Sequence, residues 1–358
     1  MEKEQLHRHK SRDSSKFATG FSDDFVPLEA LDLSKLQDFD ELARGMSKTA
    51  FGGRSVGEAA DILYEMASDP DCFVVGTFSG AMTVAKMSLL ICDMVDRGML
   101  NAIVSTGALM AHGFVESAGM RHFKYNQSMD DAQLYEKGYD RVYDTLELEK
   151  NLDGISDIME KVLEQVDSNE ILCSYKITNL LGKYLQENIE GRGILKSAYL
   201  KNVPVYIPAF TDSVLAFDFE IYNRKQKING KEPIQFNPFL DFNHYVEQIK
   251  KAKRVGIFTV GGGVPRNWAQ QAGAFLEFIN PKFGYDEGSK KIKYGVRICP
   301  EPVHWGGLSG STYSEGVSWG KFVPESEGGK FAEVLCDATI AWPIILKAVM
   351  ERIEKRKK

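Results

Sequence analysis

Apolar and polar positions divide the chain into short apolar runs separated by longer amphipathic stretches. Leu28 to Ala50 carries apolar residues at helical spacing up to the Gly52-Gly53 pair, and Val56 to Met66 repeats that spacing before Asp69-Pro70. These segments predict a helical N-terminal cap. Cys72 to Gly76 is an apolar run of strand length, Met82 to Val95 predicts a long apolar helix stopped at Gly98, and Asn101 to Ser105 predicts a second strand. Strand, helix, strand is a βαβ unit, so the expected class is α/β with a mainly parallel sheet flanked by helices. Residues 119–150, with Tyr125, Tyr135, Tyr139 and Tyr143, predict an irregular connecting or lid-like segment. Helices follow over 152–166, 176–187 and 194–201, then a strand over 203–207. The Lys-, Asn- and Gly-rich stretch 223–238 reads as a surface excursion. A helix over 245–252 leads to the clearest buried strand, Val255 to Val260. A helix to Ile279, strands over 294–299 and 330–337, and a terminal helix over 341–353 complete the pattern. With no repeat or linker composition, residues 21–358 are expected to form one domain behind a disordered polar tail, 1–20, whose His7 and His9 are a metal pair or, more simply, solvated.

Composition narrows the function classes. The 358 residues are 43% apolar and 26% charged, with 44 basic against 50 acidic side chains. That balance argues against a nucleic-acid binder and mildly favours cationic partners. Cys72, Cys92, Cys173, Cys299 and Cys336 are widely spaced with no C-x-x-C pair, which reads as reduced thiols. No apolar run reaches membrane-spanning length and Met1 to Gln5 is not a signal peptide, so a cytoplasmic protein is expected.

Candidate chemistry collects at the ends of the expected strands. Ser79 follows the first, Ser105 and Thr106 the second, Asp212 the third, where an acid can accept hydrogen bonds from ribose hydroxyls. Gly261, Gly262 and Gly263 directly follow Val260; they are either a flexible loop or a place where a bulky ligand approaches the main chain. Lys321 ends the run Ser309 to Gly320, two residues after Trp319 and six after Glu315. An aromatic wall beside a lysine lowers its pKa and frees a nucleophilic amine, while Glu315 and Trp319 suit a cationic amine; the competing reading is a solvated surface loop.

Glu315-Gly316-Val317-Ser318-Trp319-Gly320-Lys321 resembles the active-site lysine signature of deoxyhypusine synthases. Gly76 to Gly80, Val203 to Asp212, Gly261 to Val264 and Cys336 to Thr339 fit the family in the same order, across roughly residues 40–350. The resemblance implies a Rossmann-like fold, a homotetramer and an NAD-dependent transfer of the aminobutyl group of a polyamine such as spermidine. Lys321 would carry the imine; Glu315 and Trp319 would hold the polyamine; Ser79, Thr106, Asp212, Gly261, Gly262, Gly263, Ser309 and Asp337 would line the NAD site. The acceptor would be a protein lysine or a free diamine. A non-catalytic NAD- or amine-binding homologue is the alternative class.

Several positions depart from the family pattern. Asn267 stands for its histidine, Leu308 and Trp305 for acids, and Met110-Ala111-His112-Gly113 for an acidic cluster. Asp218 is the nearest candidate for the substrate aspartate, and His304 either replaces a lost polar group or is structural. These losses predict a pocket that favours an amine whose far end is shorter, uncharged or left in water.

Overall fold

Six parallel strands form the central sheet of the computed structural model, which describes residues 13–167, 169–285, 288 and 290–356. From one edge the order is Lys330–Val334, Ile292–Ile298, Arg254–Val260, Cys72–Phe78, Ala102–Ser105 and Val205–Tyr206. The chain therefore starts in the middle, builds outward to Val205–Tyr206, and returns to build outward on the other side. The order reverses between Cys72–Phe78 and Arg254–Val260, which pair in register from Cys72/Arg254 to Phe78/Val260. In sheets of this kind the crevice beyond the carboxyl ends at that reversal is where ligands bind.

Both sheet faces are covered, which explains why these strands read as continuous apolar runs. On one face Val75, Val104, Val255 and Ile257 pack with residues of helices Phe239–Lys251 and Gly263–Phe283. On the other, Val74, Phe78, Ile103 and Phe258 meet helices Phe51–Ser68, Ser88–Asp96 and Ala338–Arg356. Trp342 is fully buried there, its ring centroid 5.6 Å from that of Phe78. The N-terminal cap is helices Phe39–Ser47 and Phe51–Ser68, tied to the last helix by the buried Arg352–Asp40 ion pair at 2.6 Å. Among the described residues no helix is long and apolar enough to cross a membrane.

The structure corrects several expected elements. Helix in the Leu28–Ala50 region begins only at Phe39, and Gly52-Gly53 lie in the exposed first turn of a helix instead of breaking one. The long helix from Met82 shrinks to Ser88–Asp96, because Thr83 donates to the Leu109 carbonyl at 2.8 Å and Lys86 takes a left-handed φ of 66°. Residues 119–150 are not irregular. Phe123–Lys124, Tyr139–Val142 and Thr145–Leu148 form a small antiparallel sheet around helix Asp131–Glu136. The supposed excursion at 223–238 continues helix Val214–Ile228 and then pairs Gln235–Phe236 with Ile171–Leu172. His7 and His9 lie outside the described residues.

Candidate active site

The lysine segment is more ordered than its small residues suggest. Thr312 caps a short helix, Tyr313–Ser318, by accepting from the Glu315 amide at 3.0 Å. A Cβ on Gly316 would sit 2.5 Å from the Phe322 ring, so this glycine lets the helix lie on buried Phe322. Gly320 takes φ 69° and turns the chain out of the helix. The Lys321 carbonyl then accepts from the Ile292 amide at 3.0 Å, fastening the lysine to the central sheet.

Lys321 lines a cavity of about 840 Å³ with Arg266, Asn267, Gln270, Glu315 and Trp319. Its Nζ donates to Asn267 Oδ1 at 3.2 Å and lies 5.9 Å from the Trp319 ring centroid. Burial and the nearby Arg266 charge hold the amine below the usual lysine range, against an opposing pull from Glu315. Leu308 also lines the cavity and adds an apolar side chain to its wall. The arrangement is that of an amine nucleophile between an acceptor and an aromatic wall. Trp319 is 68% exposed, so the wall on this side is open.

The expected cofactor residues all lie at or beyond the carboxyl ends of the sheet strands. At the reversal point they touch. Ser79 Oγ accepts from the Gly262 amide at 2.9 Å and donates to the Val260 carbonyl at 3.3 Å. A Cβ on Gly261 would meet Ser79 Oγ at 2.2 Å, and one on Gly262 would meet Ser309 Cα at 2.5 Å. At two of the three glycines, then, this chain's own serines occupy the space a Cβ would need. Gly263, at φ 56°, is less crowded, a Cβ there meeting Ser309 Oγ at 4.0 Å, and it opens the 21-residue helix Gly263–Phe283. Arg297 supports the crevice from below: it donates to the Ser309 carbonyl and to Glu333 Oε2, the latter at 2.6 Å. Thr106 caps helix Gly107–Ser117, Ser105 is buried with its hydroxyl on the Thr106 carbonyl at 3.0 Å, and Asp212 is exposed nearby beside Ser213, which packs on Gly107. Asp337 caps the last helix, accepting from the Thr339 amide at 2.7 Å.

Two expected substrate residues stand apart from the cavity lining. Asp218 is buried on helix Val214–Ile228, and its surroundings push its carboxyl up to about 6 through burial. His304 is exposed on the turn Val303–Trp305.

Sequence reading missed Arg266, Gln270 and Glu277, which share the cavity-facing side of helix Gly263–Phe283 with Asn267. Gln270 stands four residues after Arg266 and three after Asn267, with Glu277 seven further on, and that helical spacing was the available signal. It also missed the group around Glu147. That carboxylate is fully buried, with His112 Nδ1 at 3.2 Å and His122 Nε2 at 2.6 Å from Oε2, while Asn151 donates to Oε1 at 2.6 Å. Lys86 Nζ contacts His122 Nδ1 at 2.8 Å. Among the described residues this is the His/carboxylate group with metal-ligand proximity, its atoms within 4.8 Å.

Comparison with known proteins turns this geometry into a lineage. The family model described as deoxyhypusine synthase matches residues 41–349. The chain belongs to the deoxyhypusine synthase family. A Methanosarcina acetivorans protein named probable deoxyhypusine synthase 2 is 33% identical, over 93% of this chain and 91% of its own. A Chlorobaculum parvum deoxyhypusine synthase-like protein is 33% identical, over 84% of this chain and 83% of its own. The fold is also that of a putative deoxyhypusine synthase from Entamoeba histolytica, with TM-score 0.58 at 13% identity, covering 90% of this chain and 97% of that one. The six-stranded parallel sheet with its flanking helices is thus the fold of that family.

Proposed function

We propose that this protein is an NAD-dependent aminobutyl transferase that moves the four-carbon amine of a polyamine such as spermidine to an acceptor amine through an imine on Lys321. The observation that carries the reading is the Lys321 amine itself. It is half-buried, held by Asn267 and lowered in pKa, so more of it is neutral and nucleophilic near pH 7 than of a solvated lysine.

The carboxyl-edge crevice fits a dinucleotide. Gly263, the amides of the helix it begins, Ser79, Ser309 and the exposed Asp212 are the groups that would hold it. When bound, NAD supplies a hydride acceptor for the carbon beside the polyamine's secondary nitrogen and returns that hydride to the product imine, so no outside oxidant is needed. Lys321 Nζ adds to the oxidised carbon, its C–N bond replaces the one to the departing diamine, and the lysine proton leaves with that diamine. The acceptor amine then displaces Lys321 by the same exchange. Trp319 and Glu315 hold the ammonium end by cation–π and charge contact.

The acceptor class stays a protein lysine or a free diamine, and a homotetramer with sites completed between subunits is part of the reading. The open rim formed by Leu308, Trp319 and Phe278 supports a covering subunit, since all three are exposed and apolar. Borohydride added during turnover with NAD and spermidine should leave an adduct on Lys321. Equal adduct yield with Lys321→Ala protein would refute the assignment. Lys321→Arg should fail as well, because a guanidinium stays protonated.

A further inference from the structure

Arg266 is a cation for which the described residues supply no counter-charge in contact. It is 2% exposed, and its Nη1 donates to the Ser311 carbonyl at 2.7 Å. Its guanidinium lies 5.1 Å from the Tyr313 ring centroid, while Nε and Nη2 have no partner among the described residues. One turn along the same helix, Gln270 is 6% exposed and its Nε2 is likewise unpartnered. Both side chains line the Lys321 cavity. The nearest structural acid, Glu333, is already engaged by Arg297 and by the Tyr313 amide. Arg266 also sits in the first turn of helix Gly263–Phe283, whose dipole adds positive potential there. A buried guanidinium and a buried amide donor are costly to leave without acceptors, and an oxyanion such as a carboxylate or a phosphate supplies them.

We infer that the amine used by this site also carries a carboxylate, which Arg266 and Gln270 bind while the amino end reaches Lys321, Glu315 and Trp319. This rests on the Lys321 reading and names its substrate class: a diamine or polyamine that also carries a carboxylate. It accounts for Leu308 and Asn267 together, because a substrate with an anionic end needs fewer acids around it and one base. A cofactor phosphate is the rival anion. Ser79, Gly261, Gly262 and Gly263, the residues of the crevice, do not line this cavity, which favours the substrate.

The test compares L-ornithine with putrescine, which is the same diamine without the carboxylate. Each competes, with NAD present, against borohydride trapping of spermidine on Lys321 of the full chain. Ornithine should protect at concentrations lower by about tenfold or more, the scale of one charge-assisted hydrogen-bonded pair. Arg266→Met should erase that preference, Arg266→Lys should keep part of it, and Gln270→Leu should shrink it. The wild-type comparison decides even if Arg266→Met fails to fold. Equal or better protection by putrescine overturns the inference, as does a preference unchanged in the variants. So does a loss in Arg266→Met of NAD affinity, read by nucleotide fluorescence, with the ornithine preference retained. If spermidine leaves no adduct on wild-type Lys321, the transferase reading fails; calorimetric titration of ornithine and putrescine then tests the carboxylate subsite separately, and no ornithine preference overturns it.

Discussion

Replacing Asn267 by Asp puts a full negative charge where a neutral amide oxygen now accepts from Lys321 Nζ at 3.2 Å. At that separation two unit charges attract by about 1 kcal/mol at the permittivity of water and about 5 kcal/mol at the effective value near a protein surface. One pKa unit corresponds to about 1.4 kcal/mol, so the range spans roughly one to four units. Lys321 is partly exposed, which selects the lower end, about one to two units upward. The neutral amine is the nucleophile, so the basic group governing imine formation must titrate at higher pH in Asn267→Asp. The assay is the initial rate of the borohydride-trapped Lys321 adduct across about pH 6 to 10. Glu315→Gln supplies the opposite sign, since Glu315 now pulls the lysine pKa upward and its loss moves the profile to lower pH. A profile for Asn267→Asp that overlays the wild type, or moves toward acid, would refute this account of how the amine is tuned.

Gly262→Ala drives a Cβ to 2.5 Å from the Ser309 main chain, and should destabilise by about 1–3 kcal/mol and weaken NAD binding. Gly52→Ala, with nothing within 4 Å of its Cβ in an exposed helix turn, should instead stabilise by about 0.5–1 kcal/mol; denaturant midpoints compare the two. Glu147 is held below the usual carboxylate range by hydrogen bonds from His112, His122 and Asn151 that outweigh its burial. A depressed folded pKa contributes stability above the unfolded value of 4.5 that is lost as pH falls. Glu147→Gln should therefore cost about 3–5 kcal/mol at pH 7 and flatten the acid limb in urea titrations. Asp218 has the reverse sign: burial raises its pKa from 3.8 to about 6, so stability falls as pH rises across that window. Asp218→Asn should remove that loss, of order 3 kcal/mol, and be more stable than wild type at pH 7 but not at pH 3.

The apolar runs and their flanking helical spacings carried the α/β class, the parallel sheet and the N-terminal cap, because each records the burial of one segment. Helix Ile194–Lys201 and the strand at Arg254–Val260 matched closely, since an apolar stripe with clear stops is a local property. Lys321, Trp319 and Glu315 were also legible, as a contiguous stretch. The short strands within 119–150 were not. Strands of two to four residues are too short to show an alternation, and the pairing of Tyr139–Val142 with Thr145–Leu148 depends on a turn at Tyr143 with φ 53°. Residues far apart in sequence needed the tertiary structure. Asn267 and Lys321, separated by 54 positions, meet only because helix Gly263–Phe283 lies along the lysine segment. The strand order that makes Ser79 and Gly261 neighbours depends on which apolar faces find each other, and composition along the chain carries no record of it. The reason for the glycines is tertiary for the same cause: a Cβ is excluded at Gly261 and Gly262 by serines 182 and 47 positions away, which no local pattern contains. Arg266 marks the furthest limit of sequence, since only the folded cavity shows that a charged side chain is buried beside Lys321 with donors left unpartnered.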